Sequence, residues 1–291
     1  MSGPSPRVAV IVPCYDDGAI IGETLASLEE AEPLEIVVVD DASRDAATIE
    51  ALARLRERGL RVERHERNQG LSAARMTGVR ATSAPYVFPL DSDDLAVPGA
   101  LAAMADRLDA DPGAAVCFGD YLEFGDSERA VAVPARLDPY RIAFRNEYPV
   151  TSLFRRSELL AAGGWSDVGG EVGYEDWNLW MSLAERGATG IHLGPGRPTY
   201  RRRLHGSRML TDAARRHRRL YGTLRATHPA LFDELGRHRD TSDLPPLKRA
   251  LYPVVYGPRP PLGLMTRVRR MARRCVSSCS RRRARRRRSP R

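Results

Sequence analysis

Residues 7–41 read RVAVIVPCYDDGAIIGETLASLEEAEPLEIVVVDD. The apolar, β-branched run from Arg7 to Val12 predicts a buried strand, closed by Pro13. Ile20, Ile21, Leu25 and Leu28 then recur at helical spacing and predict an amphipathic helix over 20–30. Glu35 to Val39 (EIVVV) predicts a second buried strand. Strand, crossing helix and strand in this order are the pattern of a βαβ unit on a mostly parallel sheet.

The alternation continues past Asp41. Ser43 is placed to cap a helix running to Gly59, 61–65 is a short strand, 71–81 a helix, and Tyr86 to Leu90 (YVFPL) a fourth strand. A helix over 98–108 and a strand over 114–121 follow. Residues 122–150 read as irregular, and 172–186 (VGYEDWNLWMSLAER) reads as a helix stopped by Gly187. Trp177 and Trp180, three apart on that helix, are expected to pack in the core. After about residue 211 the chain turns helical and basic, then Pro-rich over 245–261. The expected organisation is an α/β domain over 1–210, a helical extension over 211–266 and an Arg-rich tail over 267–291.

The 291 residues carry a formal net charge of +9, which at first suggests a nucleic-acid partner. Residues 267–291 alone contain 13 Arg and no acidic residue, so the first 266 residues carry −4. The body is mildly acidic, and no aromatic interleaving or nucleic-acid module accompanies the tail. An anionic membrane surface suits the tail better, because Leu262, Leu264, Met265, Val268, Met271 and Val276 intersperse with its Arg residues. The run Val8 to Val12 is too short for a secretory signal, and nothing reaches the roughly 18 apolar residues needed to span a bilayer. A cytoplasmic protein, peripheral on the inner face of the membrane, is the expectation. Cys14, Cys117, Cys275 and Cys279 are too scattered for a disulfide framework.

Two strands end in acidic clusters. Val39 leads into Asp40 and Asp41, and Leu90 leads into Asp91, Ser92, Asp93 and Asp94. Ligands of open α/β sheets bind at the carboxyl ends of the strands, so both clusters are expected to face one crevice. Three carboxylates in four residues repel one another unless a cation neutralises them, and hard oxygen donors favour Mg²⁺ or Mn²⁺.

Seven segments in order, VAVIVPCYDDGAIIGETLASL (8–28), EIVVVDDASRD (35–45), NQGLSAARMTGVRAT (68–82), YVFPLDSDDLAVP (86–98), GGWSD (163–167), YEDWNLWMSLAERG (174–187) and YRRRLHGSRM (200–209), resemble the inverting family 2 glycosyltransferases of the GT-A fold. The resemblance covers about 7–210. It implies a GT-A, Rossmann-like sheet flanked by helices. It also implies a metal-dependent transfer of a sugar, with inversion, from a nucleoside diphosphate to an acceptor hydroxyl in polysaccharide, glycolipid or glycoconjugate assembly.

By that resemblance Asp41 reads the nucleotide base with Asp40 beside it, and Pro13, Tyr15 and Asp16 wall the nucleoside, Asp16 standing where the family usually has Asn. Arg75 approaches the nucleotide side; Met76 stands after it where the family more often has Asn. Asp91, with Ser92, faces the donor ribose or sugar. Asp93 holds Mn²⁺ or Mg²⁺, and His205 closes over it. Asp176 is the general base and Glu175 supports it, while Gly164 and Trp165 line the acceptor side, Trp165 as a sugar-stacking ring. The implied donor is a UDP- or dTDP-sugar, and the implied acceptor a sugar, a lipid-linked molecule or a small molecule.

Two rival readings differ in class. One is a non-catalytic nucleotide-sugar-binding protein of the same fold, against which the presence of both the Asp91-Ser92-Asp93 and Glu175-Asp176 pairs argues. The other is a nucleotidyltransferase, against which the lack of a Gly-rich, basic phosphate loop after Val12 argues.

Overall fold

The computed structural model describes residues 5–204 and 208–257, with side chains in the second stretch from 216 onward. His205 and the Arg-rich tail of 267–291 lie outside the described residues. Residues Met1–Asp243 form one compact unit and Leu244–Arg291 a second.

In the first unit β1 (Val8–Cys14), α1 (Ile21–Ala26), β2 (Leu34–Asp40), α2 (Ala46–Glu57), β3 (Arg61–Arg64), α3 (Leu71–Ala81) and β4 (Tyr86–Pro89) follow in βαβ alternation. Then come β5 (Leu95–Ala96), α4 (Ala100–Ala110), β6 (Ala114–Phe118), β7 (Asp120–Gly125), β8 (Arg129–Val131) and α5 (Pro139–Phe144). The unit continues with β9 (Leu153–Arg155), α6 (Arg156–Ala161), α7 (Glu175–Glu185), β10 (Thr189–His192), β11 (Pro198–Leu204), α8 (Arg208–Thr227), α9 (Pro229–Asp233) and α10 (Leu235–Thr241). The second unit contains α11 (Pro246–Tyr256). The helical extension expected over 211–266 belongs to the first unit up to Asp243. Leu220, Tyr221, Leu224 and Leu231 are buried, and the Tyr221 hydroxyl donates to the Ala143 carbonyl at 2.8 Å.

The main sheet has seven strands in the order β10-β6-β9-β4-β1-β2-β3, parallel throughout except for β9. This is the mixed α/β architecture expected. Every residue of β1 is buried, as an all-apolar central strand requires. In α3, Gly78 lies against β1 so closely that a Cβ there would sit 2.2 Å from Ile11 Cγ2. Because Cys14 pairs with Asp40 and Ile11 with Pro89, the ends of β2 and β4 flank the end of β1 on one edge. The two acidic clusters therefore share that edge, as expected from the sequence.

Several local expectations are corrected. The helix expected over 20–30 stops at Ala26, because Glu30 instead accepts hydrogen bonds from the backbone of Leu101 and Ala102 at the start of α4. Asp45, not Ser43, caps α2: it accepts from Thr48 N at 2.8 Å, whereas Ser43 Oγ accepts from Asp16 N. The strand expected over 114–121 is cut at Gly119, where a Cβ would meet Thr199 at 2.6 Å. Its second half enters a separate four-stranded sheet, β5-β11-β7-β8. Residues 122–150 are not irregular, since they supply most of β7, all of β8, and α5.

Candidate functional site

On the β1–β2 side, the carboxylates are held by the protein itself. Asp41 is 4% exposed. Its Oδ1 accepts from His65 Nδ1 at 2.7 Å and Gln69 N at 2.8 Å, and its Oδ2 accepts from Gly70 N at 2.8 Å. A carboxylate oxygen accepts two hydrogen bonds, so Oδ2 retains capacity for one more. Asp41 thus fixes the turn at 69–70, where Gly70 takes φ +89° before α3. Asp40 accepts from Ser43 N at 2.8 Å and from the Arg64 guanidinium. Asp16, at φ +60°, accepts from the backbone N–H groups of Arg44 and Asp45. It fastens the loop after β1 to the loop after β2. Pro13 is buried in β1, while Tyr15, 40% exposed, is the open ring at this edge.

The turn after β4 is clamped from three directions. Ser92 Oγ donates to Asp17 Oδ2 at 2.6 Å, and the Ser92 carbonyl accepts from Thr24 Oγ1 of α1 at 2.7 Å. From β11, Arg203 N donates to Asp94 Oδ1 and Arg203 Nε to the Asp93 carbonyl. Burial pushes the Asp94 carboxyl up to about 8; the charges of Asp91 and Asp93 add to this, opposed by the Arg203 N–H and Arg202. The like-charge part of that shift, from Asp91 and Asp93, is what a cation at the turn would relieve. The donor chemistry therefore fits a divalent metal. Among the described residues no three His, Cys, Asp or Glu side chains already stand in a ligand cage.

The third part of the site gathers around Arg75, 1% exposed on α3. Its Nη2 donates to Asp91 Oδ1 at 2.7 Å and its Nη1 to Glu175 Oε1 at 3.3 Å. Burial disfavours the charged guanidinium, but Asp91 and Glu175 outweigh it and raise the Arg75 pKa. One buried cation thus spans from the acidic turn to the start of α7.

Glu175 and Asp176 occupy the first turn of α7, where the helix dipole favours negative charge, after Tyr174 at φ +65°. Asp176 Oδ1 accepts from Trp177 N at 2.7 Å and Oδ2 from Asn146 Nδ2 at 2.6 Å. Burial pushes the Asp176 carboxyl up to about 6 and Glu175 adds to it, against the Trp177 N–H, Arg75 and Asn146. A carboxyl poised there exchanges a proton near neutrality.

Trp165 is corrected as a sugar-stacking ring: it is 2% exposed, edge-on to Phe154, with the Arg75 guanidinium 5.8 Å from its centroid. It floors Arg75 rather than facing an acceptor. Gly164, φ +65°, abuts α3, since a Cβ would lie 2.4 Å from Met76 Sδ. Trp177 and Trp180 are core residues as expected, and Cys14 and Cys117 are buried free thiols.

The structure thus brings Arg75, Asp91, Glu175 and Asp176 together, and leaves Asp16, Asp40, Asp41 and Ser92 as fasteners of the surrounding loops. Asp17, His65, Asn146 and Arg203 were missed by sequence reasoning. Arg203 lies in the quoted 200–209 segment and Asp17 in the 8–28 segment, but their types gave no cue to their partners. Asn146, in a stretch with no readable periodicity, gave no signal.

The family model for glycosyl transferase family 2 matches residues 9–156. The succinoglycan biosynthesis protein ExoO of Rhizobium meliloti (strain 1021) is 35% identical over 107 residues, 36% of this chain and 30% of that protein. The chain spans less than half the length of the first curated relatives it matches. Among solved structures, S. aureus TarS 1–349 in complex with UDP-GlcNAc superposes with a TM-score of 0.61 at 20% identity, over 84% of this chain and 69% of that one. The mannosyltransferase PcManGT from Pyrobaculum calidifontis, in complex with GDP-Man and Mn²⁺, gives a TM-score of 0.56 at 20% identity, over 90% and 83%. These two likenesses concern the fold. With the matched model covering more than half of its length, the chain belongs to glycosyl transferase family 2.

Proposed function

We propose that the protein is a metal-dependent inverting glycosyltransferase, which moves a sugar from a nucleoside diphosphate to an acceptor hydroxyl in polysaccharide or glycoconjugate assembly. The observation that carries this reading is the buried Arg75 guanidinium, bonded at once to Asp91 beside the acidic turn and to Glu175 beside Asp176. It couples a donor side to a proton-accepting side across one cleft.

Asp176 takes the acceptor hydroxyl proton as that oxygen bonds to the anomeric carbon and the bond from that carbon to the diphosphate oxygen breaks. Tyr15 and the open lone pair of Asp41 Oδ2 hold the nucleoside, a uracil or thymine N3–H matching that acceptor. Asp91 faces the donor sugar, positioned by Arg75. Asp93 and, outside the described residues, His205 would hold Mn²⁺ or Mg²⁺. A divalent cation bound there supplies charge neutralisation for the departing diphosphate. TarS with UDP-GlcNAc and PcManGT with GDP-Man and Mn²⁺ support donors and a metal of these classes.

We assign the tail of 267–291 to an anionic lipid surface, on charge complementarity. In the second unit Leu247, Leu251 and Val254 are exposed on α11, and no described helix is long and apolar enough to cross a membrane. Liposome binding lost on truncation at Thr266 is expected; unchanged binding refutes a role for the tail. On this reading the catalytic body runs through Asp243 and is followed by the second unit with its cationic tail.

The test is turnover of UDP-glucose, UDP-GlcNAc, dTDP-glucose and GDP-mannose by purified protein with Mn²⁺ and with EDTA. Release of nucleoside diphosphate that EDTA abolishes is expected. Nucleotide binding without any turnover instead supports the non-catalytic reading.

A further inference from the structure

Asn146 sits between α5 and β9, in a stretch that the sequence left without a role. Its amide nitrogen lies 2.6 Å from Asp176 Oδ2. An ionised carboxylate only accepts, so the group facing it must be the amide NH₂ and not the carbonyl, which fixes the amide's orientation. The other end of the same amide, Oδ1, is then buried with no partner. Buried acceptors are nearly always completed by a donor in native structures, and an exception beside a reactive carboxyl marks a place where a ligand hydroxyl or water completes the set.

We infer that Asn146 is the positioning residue for Asp176. Its NH₂ fixes one carboxylate oxygen of the base, and its Oδ1 stays open to accept from a hydroxyl of the incoming acceptor, adjacent to the one that loses its proton. This rests on the reading of Asp176 as the general base. With Trp177 N on Oδ1 and Asn146 on Oδ2, the carboxylate has its rotation about the Cβ–Cγ bond restricted at both oxygens, leaving the remaining lone pairs for the substrate. Its placement also selects for an acceptor with more than one hydroxyl, as a sugar has, over an isolated alcohol.

The charged and titratable groups around Asp176 come from each packed element. Glu175 shares its turn on α7, Arg75 reaches it from α3, and Tyr174 precedes the helix with its phenol pushed up to about 12 by burial and by Asp176. Arg145 and Glu147, on either side of Asn146, pair with each other at 3.0 Å. Asn146 is the neutral donor in this set. Removing it withdraws a bond that favours the charged carboxylate without altering the local charge.

The experiment is titration of the full chain, selectively ¹³Cγ-labelled at aspartate, the Asp176 signal being assigned by its loss in Asp176→Asn. Wild type is expected to titrate near the value of about 6 set by the surroundings. Asn146→Ala should raise the midpoint by about half a pH unit or more, and the near-isosteric Asn146→Asp, which adds a second negative charge, should raise it further. The acidic limb of the turnover profile should move by the same amount, with nucleotide affinity unchanged. Should Asn146→Ala fail to fold, Asn146→Ser supplies the comparison, because it removes the amide without adding charge. A midpoint identical to wild type in the folded variants overturns the inference. Full turnover by Asp176→Asn would instead overturn the base assignment, and a shifted midpoint would still stand, so the two failures are distinguishable.

Discussion

The two acidic regions of the site differ in what surrounds their carboxyls. At the ends of β1 and β2, Asp16, Asp40 and Asp41 each receive two or three hydrogen bonds from the surrounding chain. Around the start of α7 and the turn after β4, the carboxyls of Asp94 and Asp176 are instead pushed upward by burial and by like charge, to about 8 and about 6. Arg75 Nε, Asn146 Oδ1 and Trp165 Nε1, close to that second region, are buried without partners. In the first region those bonds fasten the loops that frame the nucleotide side, where Asp41 Oδ2 has one bond and room for another. The second region is set apart by burial, like charge and orphaned neighbouring atoms, and perturbed protonation of this kind clusters where chemistry is expected.

That contrast can be broken by mutation. The largest expected effect is at Arg75. Replacement by Met leaves Asp91 and Glu175 without their buried partner and should cost about 3–5 kcal/mol of stability, read by urea denaturation. Arg75→Lys, with its single point charge, should not restore the bridge. A stability loss under about 1 kcal/mol would show that the bridge is a surface-like pair. On the nucleotide side, His65→Leu removes the Nδ1–H bond to Asp41 and should cost about 1–3 kcal/mol, with weakened nucleotide binding as the 65–70 loop loosens. Unchanged nucleotide affinity would detach that loop from the donor site. The smallest effect is at Ser43→Ala, which unpairs one donor, Asp16 N, and should cost about 0.5–1.5 kcal/mol while leaving turnover intact. Lost turnover there would contradict a purely architectural role.

How much was legible follows from the kind of signal each part carries. Helix α3 matched its expected bounds of 71–81, and the parallel order of β1, β2 and β4 was readable, because apolar periodicity and uninterrupted β-branched runs reflect burial directly. The division between β6 and β7 was not, because both halves are strand-like and only the close approach of Thr199 and Arg197 to Gly119 shows why the chain turns there. Helix α1 was overextended for a related reason, since Glu30 serves the start of α4, a distant partner that local pattern does not contain. In the site, the acidic pairs announced themselves by composition and order. Their division into fasteners and reactive groups did not, because it depends on which backbone N–H groups face them. Trp165 illustrates the limit: an aromatic beside two glycines suits a sugar platform, yet here Phe154 and Arg75 cover it.

The general-base claim is tested most directly by comparing wild type with Asp176→Asn on nucleotide-sugar turnover, following pH dependence and nucleotide affinity in parallel. A carboxylate base must be ionised, so wild-type turnover should rise as pH increases through about 6 and then level. Asp176→Asn should lose about 10²–10⁴-fold in turnover with unchanged nucleotide affinity. A variant that turns over at the wild-type rate, with the same pH profile, would contradict the account.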